Sequence, residues 1–336
     1  MRAWLPRVTG KDASSDCEAV KSALFEAIYS RPDPIFGPMT AQLLDGKAIA
    51  HQIREDFKRR VALLRERSGV TPTLSVILVG QNPASRVYVR NKIKACAEVG
   101  IRSMLHEFPA DVAADTVIGR IVELNRDPNV HGILVQLPLP SHHDIHAVLR
   151  TVAVEKDVDG FHLYNVGGLV LGETVFPPCT PYGVMKLLDH AGIDVAGKNV
   201  TIVGASNIVG KPMALMMLRH EATVAICHVR TRDLAQYTIL ADILIVAAGV
   251  PNLIVPQMVK SGAVVVDVGI NRLADGRLVG DIDFEGVRQK AAYITPVPGG
   301  VGPMTVTMLL ENTLVAAERA TLSAPAPIAE ALEQAE

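Results

Sequence analysis

Two rhythms of apolar residues alternate along this chain. Ile49, Ile53, Phe57, Val61 and Leu64 recur at helical spacing and predict an amphipathic helix from about Leu44 that ends near Gly69. Thr73-Leu-Ser-Val-Ile-Leu-Val-Gly80 is instead a continuous β-branched run between Pro72 and Gly80, the mark of a strand covered on both faces. The alternation continues with a helix from about Ala84 to Val99 stopped by Gly100, a strand near Ile101 to Phe108, a helix from about Ala114 to Asn125 and the strand His131 to Leu137. Such a succession predicts an α/β layer with parallel pairing.

A linker holding Asp157-Val-Asp159-Gly160 and Pro177-Pro-Cys-Thr-Pro181 separates this half from the next, and a helix near Tyr182 to His190 leads on. The strand Val200 to Val203, the tight turn from Gly204 and a helix with Pro212 in its first turn then form one unit. A helix that opens on such a turn presents free N–H groups and a positive dipole end to a phosphate. Further strands are expected at Ala222 to Cys227, Ile243 to Ala247, Ala263 to Val268 and Tyr293 to Thr295. Gly249, Gly269 and Gly299-Gly300 fall at their carboxyl ends, where ligands sit in open α/β sheets. A final helix, Met304 to about Ala320, is expected to pack back on the first half, and the Ala-, Pro- and Glu-rich tail after Leu322 to fray.

Residues 1–38 break the pattern. They offer one short amphipathic stretch, Val20, Leu24 and Ile28, and then the breaker-rich Arg31-Pro-Asp-Pro-Ile-Phe-Gly-Pro38. Asp12, Asp16, Glu18 and Glu26 weigh against a transit peptide, and an appendage or a translation start at Met39 account for the segment equally well.

Length and composition narrow the class. The 336 residues suggest about two domains. With 49% hydrophobic but only 4% aromatic residues, the cores must rest on Val, Ile, Leu, Ala and Met. A net charge of −2 excludes the basic balance of a nucleic-acid binder. Cys17, Cys96, Cys179 and Cys227 form no Cys-x-x-Cys pair, so neither a zinc site nor a disulfide framework is expected, and a reducing compartment fits. No apolar run suits a membrane span or a signal peptide, which predicts a cytoplasmic protein.

Several residues could carry chemistry. Tyr88 and Lys92 share a helix face at the carboxyl edge of the first sheet; alone, such a pair is more often a packed or solvated face. Tyr-x-x-x-Lys also occurs in short-chain dehydrogenases, but there the glycine loop precedes the pair, whereas here it follows. Gln136, ending a strand before Pro138, could orient a lysine amine or simply cap the strand. Asp157 reads as a turn acid and Asp159 as the better candidate for a ligand N–H, since alternate residues of an extended segment point opposite ways. His142-His143-Asp144-Ile-His146 lacks the companions of a metal site, and Ser141 could cap a helix there; no metal is expected. Past the second strand of the second half the chain reads His228-Val-Arg230-Thr-Arg232, with no acid to repel a 2′-phosphate, which favours NADP over NAD.

The motifs Gly80-x-x-Pro83-Ala-Ser-x-x-Tyr88-Val-x-x-Lys92, Gly132-Ile-Leu-Val-Gln136-Leu-Pro-Leu-Pro140, Lys156-Asp-Val-Asp159-Gly-Phe and Pro178-Cys-Thr-Pro181-x-Gly183 are followed by Gly204-x-Ser206-x-x-Val-Gly210-x-Pro212, Asp267-Val-Gly-Ile-Asn271 and Thr295-Pro-Val-Pro-Gly-Gly-Val-Gly-Pro-Met304. In this order they resemble the methylenetetrahydrofolate dehydrogenase/cyclohydrolase family, from about Leu43 to Val315. The resemblance implies two α/β domains, the second a Rossmann-like dinucleotide-binding domain, with a cleft between them. It implies residues 39–158 plus 303–321 as the folate-binding catalytic domain and 159–302 as the NADP domain; residues 1–38, which have no counterpart in the family, are expected as a flexible extension and 322–336 as a flexible tail. It implies NADP-dependent oxidation of 5,10-methylenetetrahydrofolate and hydrolysis of the methenyl product to 10-formyltetrahydrofolate by a homodimer, with no nucleic-acid or membrane partner.

Carried over by position, Lys92 is the key catalytic residue, Tyr88 packs on the folate rings, Gln136 tunes the lysine and Asp159 binds the pterin. Leu137, Pro298, Gly299 and Gly300 complete the folate contacts. Gly204, Ala205, Ser206, Asn207, Val209, Gly210 and Pro212 hold the cofactor phosphates, Val229, Arg230 and Thr231 the adenosine side, and Ala248, Gly249 and Ile270 the rest of the cofactor. Many relatives carry Arg and Ser where this chain has Ala205 and Val229, so the strength of NADP preference turns on those two positions.

Overall fold

Every residue of β2 (Thr73–Val79) is buried, as its uninterrupted apolar run requires. In the computed structural model, which describes residues 40–323, β2 is the centre of a parallel three-stranded sheet. It lies between β3 (Arg102–Phe108) and β4 (Gly132–Val135), with Leu74 opposite both Ser103 and Gly132. Its helices are α1 (Gly46–Ser68), α2 (Pro83–Val99) and α3 (Ala114–Arg126). Asp45 caps α1, and Gly69 ends it in the left-handed conformation with φ 71°. Asn82 caps α2, Pro83 fills its first turn and Gly100 ends it. The expected extension, the helix at Val20 to Ile28 and the tail beyond Ser323 lie outside the described residues.

The second half builds a six-stranded parallel sheet from β1 (Gln42–Leu43), β5 (Asn199–Val203), β6 (Thr223–Cys227), β7 (Ile243–Val246), β8 (Val264–Asp267) and β11 (Tyr293–Ile294). The order is β1-β11-β8-β7-β5-β6. Chain order reverses at β5, so the topological switch point lies between β5 and β7, where open α/β sheets bind ligands. The strand β1 was not expected. Its two residues pair with Tyr293 and Ile294, which ties the start of the first half into the second sheet.

Between the halves, the predicted linker contains short helices: α4 (Ile145–Thr151), a 3₁₀ turn at Val154–Lys156, α5 (Leu163–Leu171) and α6 (Cys179–His190). Asp144, not Ser141, caps α4, accepting the N–H groups of His146 and Ala147 at 2.9 and 3.1 Å. Helix α7 (Gly210–Arg219) follows β5. The short α8 (Ala235–Thr238), α9 (Phe284–Arg288) and antiparallel hairpin β9 (Asn271–Arg272) with β10 (Leu278–Val279) were also unforeseen.

The last helix, α10 (Val301–Ser323), packs back on the first half as expected. Arg54 of α1 reaches Thr307 Oγ1 at 2.9 Å, Arg60 makes a two-pronged pair with Glu318 at 3.2 and 2.8 Å, and Asn312 donates to the Val158 carbonyl at 2.8 Å. Met304 and Met308 are fully buried.

Candidate active site

Lys92 stands on α2 one turn after Tyr88, and β4 delivers Gln136 beside it. The lysine Nζ donates to Gln136 Oε1 at 3.1 Å. The glutamine amide is oriented by its own neighbour, because Gln136 Nε2 donates to the Leu137 carbonyl at 2.7 Å. Its oxygen is thereby left facing the lysine.

Asp159 is brought to the same place by the residues before it. Lys156 donates to the carbonyls of Leu124, Asn125 and Asp127 at 3.1, 2.9 and 2.7 Å, closing the carboxyl end of α3. Asp157, 3% exposed, accepts from the N–H of His162 at 2.8 Å and Asn165 Nδ2 at 2.7 Å, the structural role its turn position predicts. Burial pushes Asp157 up to about 6. With this turn fixed, Asp159 faces Lys92 and Cys179; burial pushes its carboxyl above the usual range, opposed chiefly by the Lys92 charge. The Cys179 thiol, buried beside it, is raised well above its ordinary value.

A cavity of about 540 Å³ opens alongside α2. Tyr88, 41% exposed, lines it together with Ile270, Pro298, Gly299 and Gly300. The glycine loop is braced by α1: Lys47 N–H donates to the Gly299 carbonyl at 2.9 Å, and a Cβ on Gly46 would collide with the Gly300 carbonyl. Lys92, Gln136, Leu137 and Asp159 are not part of the cavity wall, so the structure presents a chamber lined by Tyr88 and a polar cluster one helical turn along α2 from it. Lys47 and Arg54, which line the cavity, escaped the sequence reading because charges on an amphipathic helix look like a solvated face.

The predicted phosphate turn lies at the switch point. A Cβ on Gly204 would strike the Ala247 carbonyl, and one on Gly210 the Gly204 carbonyl, so both glycines are required for the close approach of β5, β7 and α7. Ser206 Oγ accepts the N–H groups of Val209 and Gly210 at 3.1 and 3.4 Å, and Lys211 is held on Asn207 at 2.7 Å. Ala205 lines the same turn and Pro212 is buried in the first turn of α7. At the end of β6 a tight turn forms through Thr231 Oγ1 and the His228 N–H at 2.9 Å, leaving Val229 97% exposed and Arg230 and Arg232 facing solvent. Ala248 and Gly249 follow β7, their N–H groups turned inward. These residues suit a dinucleotide with an extra phosphate: a glycine turn at a helix start, a serine hydroxyl beside it and exposed guanidinium groups at the neighbouring strand end. Among the described residues no group of three or more His, Cys, Asp or Glu side chains is placed to hold a metal.

Two family models match in sequence, the tetrahydrofolate dehydrogenase/cyclohydrolase catalytic domain over residues 44–159 and the NAD(P)-binding domain of the same family over residues 178–321. The chain belongs to the tetrahydrofolate dehydrogenase/cyclohydrolase family. The bifunctional protein FolD of Nitrosospira multiformis is 63% identical over 282 residues, 84% of this chain and 98% of that protein. The crystal structure of the FolD dehydrogenase/cyclohydrolase from Campylobacter jejuni is 54% identical, with a TM-score of 0.82 over 83% of this chain and 99% of that one. The Trypanosoma brucei enzyme, solved with NADP and an inhibitor, is 42% identical, with a TM-score of 0.82 over 84% and 99% of the two chains. Both family domains being present in order, the chain is a bifunctional folate dehydrogenase and cyclohydrolase with an NAD(P)-binding domain.

Proposed function

We propose that Lys92 is the catalytic residue shared by both reactions of this enzyme, with Gln136 and Asp159 as its partners and Tyr88 as the stacking platform for the folate. The enzyme oxidises 5,10-methylenetetrahydrofolate to the methenyl form and hydrolyses that to 10-formyltetrahydrofolate, within one-carbon folate metabolism. The observation that carries the residue assignment is the Lys92 to Gln136 hydrogen bond beside Asp159.

NADP supplies the hydride acceptor for the first step. The carbon that loses hydride is flanked by two nitrogens whose lone pairs stabilise the cation, so the protein must mainly position it. Tyr88 and the Pro298–Gly300 wall serve that end, and Asp159 holds the pterin by an N–H. In the second step water adds to the cationic carbon and gives up one proton; the remaining hydroxyl proton passes to one of the two nitrogens as its bond to that carbon breaks, leaving the formyl group on the other nitrogen. Lys92 is placed to take the first proton, and Gln136 offers it a neutral acceptor rather than a charge.

Residues 39–158 with 303–321 serve as the folate domain and 159–302 as the NADP domain. Arg230 and Arg232 favour NADP over NAD. The enzyme works as a cytoplasmic homodimer. Support for the dimer comes from β6, the last strand of its sheet, whose Ile226 is exposed, and from exposed Leu163, Tyr164, Val170 and Leu171 on α5 and Leu218 on α7. For the compartment, Cys96, Cys179 and Cys227 are free thiols, and among the described residues no helix is long and apolar enough to cross a membrane.

A spectrophotometric assay with methylenetetrahydrofolate, run separately with NADP and NAD, tests the reading. Reduction of NADP at the higher kcat/KM is expected. No turnover with either would favour a dehydrogenase of another substrate class, and sedimentation as a monomer would remove the dimer.

A further inference from the structure

Asp267 and Asp281 have no part in the roles assigned so far, yet they are 4% and 0% exposed. They sit where four chain segments meet at the carboxyl edge of the second sheet. Asp281 Oδ2 accepts the N–H groups of Ala248 and Gly249, just past β7, at 2.7 and 2.8 Å. Its Oδ1 accepts from Asn271 Nδ2 at 2.8 Å. Asp267, the last residue of β8, accepts the Gly269 N–H at 2.9 Å and those of Asp281 and Ile282 at 3.0 and 3.1 Å. Its own N–H goes to Thr295 Oγ1, just past β11, at 2.7 Å.

The packing is reciprocal. A Cβ on Gly280 would run into the Asp267 carboxylate, and one on Gly269 into that of Asp281. Each acid thus fills the space left by a glycine of the other's segment. All four carboxylate oxygens face N–H donors, so an amide at either position would turn an NH₂ towards a donor. Taking two acids this far from water is costly, and well-packed apolar side chains of similar volume would serve stability at least as well. Burial and the Asp281 charge push Asp267 up to about 7. What the pair does instead is fix four loops relative to one another.

We propose that Asp281 and Asp267 are positioning residues that hold the Ala248–Gly249 and Gly269–Ile270 backbone in the register the nicotinamide half of the cofactor needs. The proposal rests on the cofactor lying along these strand ends.

The test uses the full chain carrying Asp281→Asn, with calorimetric titration of NADP, steady-state dehydrogenase kinetics, and cyclohydrolase activity on methenyltetrahydrofolate without cofactor. NADP affinity should fall at least roughly tenfold, the size expected when a buried donor is left facing a donor. Cyclohydrolase should stay within about twofold, since the acids touch neither Lys92 nor Gln136. Asp283→Ala, which removes only the cap of α9, should leave NADP affinity unchanged. Retained affinity in Asp281→Asn overturns the proposal, as does an equal loss of both activities, which would reduce the pair to a structural role. If Asp281→Asn does not fold, Asp281→Ser decides: it takes the carboxylate away from the Ala248 and Gly249 N–H groups, and unchanged NADP affinity there overturns the proposal equally. Undiminished affinity in Gly210→Ala would instead displace the cofactor reading itself.

Discussion

Lys92 and Gln136 lie 44 residues apart in sequence and 3.1 Å apart in space, with the glutamine oxygen turned to the lysine by the bond its amide makes to Leu137. That orientation makes Gln136 a neutral acceptor. Gln136→Glu would put a charge there and hold the Lys92 proton more tightly. The cyclohydrolase pH profile should move to higher pH, with NADP affinity unchanged. A profile that stays in place contradicts the tuning role.

Gly210→Ala places a methyl group against the Gly204 carbonyl and must open the phosphate turn. Overpacking of this kind costs about 1–3 kcal/mol, so the KM for NADP should rise roughly tenfold or more. Cyclohydrolase measured without cofactor should be nearly unaffected. Parallel loss of both activities would mean that the turn supports the fold rather than the cofactor.

His131 provides a pH test of the first sheet. Its Nδ1 accepts the Thr73 N–H at 3.2 Å, a bond that requires the unprotonated nitrogen, and burial, then the Lys156 charge, lower its pKa. The unfolded chain therefore binds this proton more readily, and His131 contributes stability that is full above about pH 6.5 and lost as pH falls. Asp157 and Asp267, both raised, act in the opposite sense, losing stability as pH rises between about 4 and 7. The readout is accordingly a difference. His131→Asn keeps an acceptor for Thr73 without titrating, so wild-type Tm minus variant Tm should fall between pH 7 and 5. A constant difference would exclude the contribution.

The layer of strands and helices was legible because parallel strands buried on both faces are written as unbroken apolar runs, as in Thr73 to Val79 and Ile243 to Val246. Gly69 and Gly100 marked helix ends because their left-handed φ suits glycine. Helix α5 was hidden because Gly167 and Gly168 interrupt its apolar face; at Gly168 the backbone of Thr174 lies too close for any side chain. Strand β1 is two residues long, too short to show a period.

The site was legible where one element carries its parts, as with Tyr88 and Lys92. Asp281 was not, because its partners at Ala248 and Gly249 come from a strand end more than thirty residues earlier. Which loops meet is set by strand order, and a single sequence does not contain it. Gly280 directly before Asp281 was the one local sign of a close approach.

On this proposal Lys92 carries the chemistry, while the Gly204–Gly210 turn holds the oxidant. The most direct test is Lys92→Met assayed for methenyltetrahydrofolate hydrolysis and for NADP binding in the same preparation. The expected result is a loss of hydrolysis of about 10²-fold or more, the usual worth of a positioned acid–base group, with NADP affinity within about twofold of wild type. Cyclohydrolase activity that survives the substitution would contradict it.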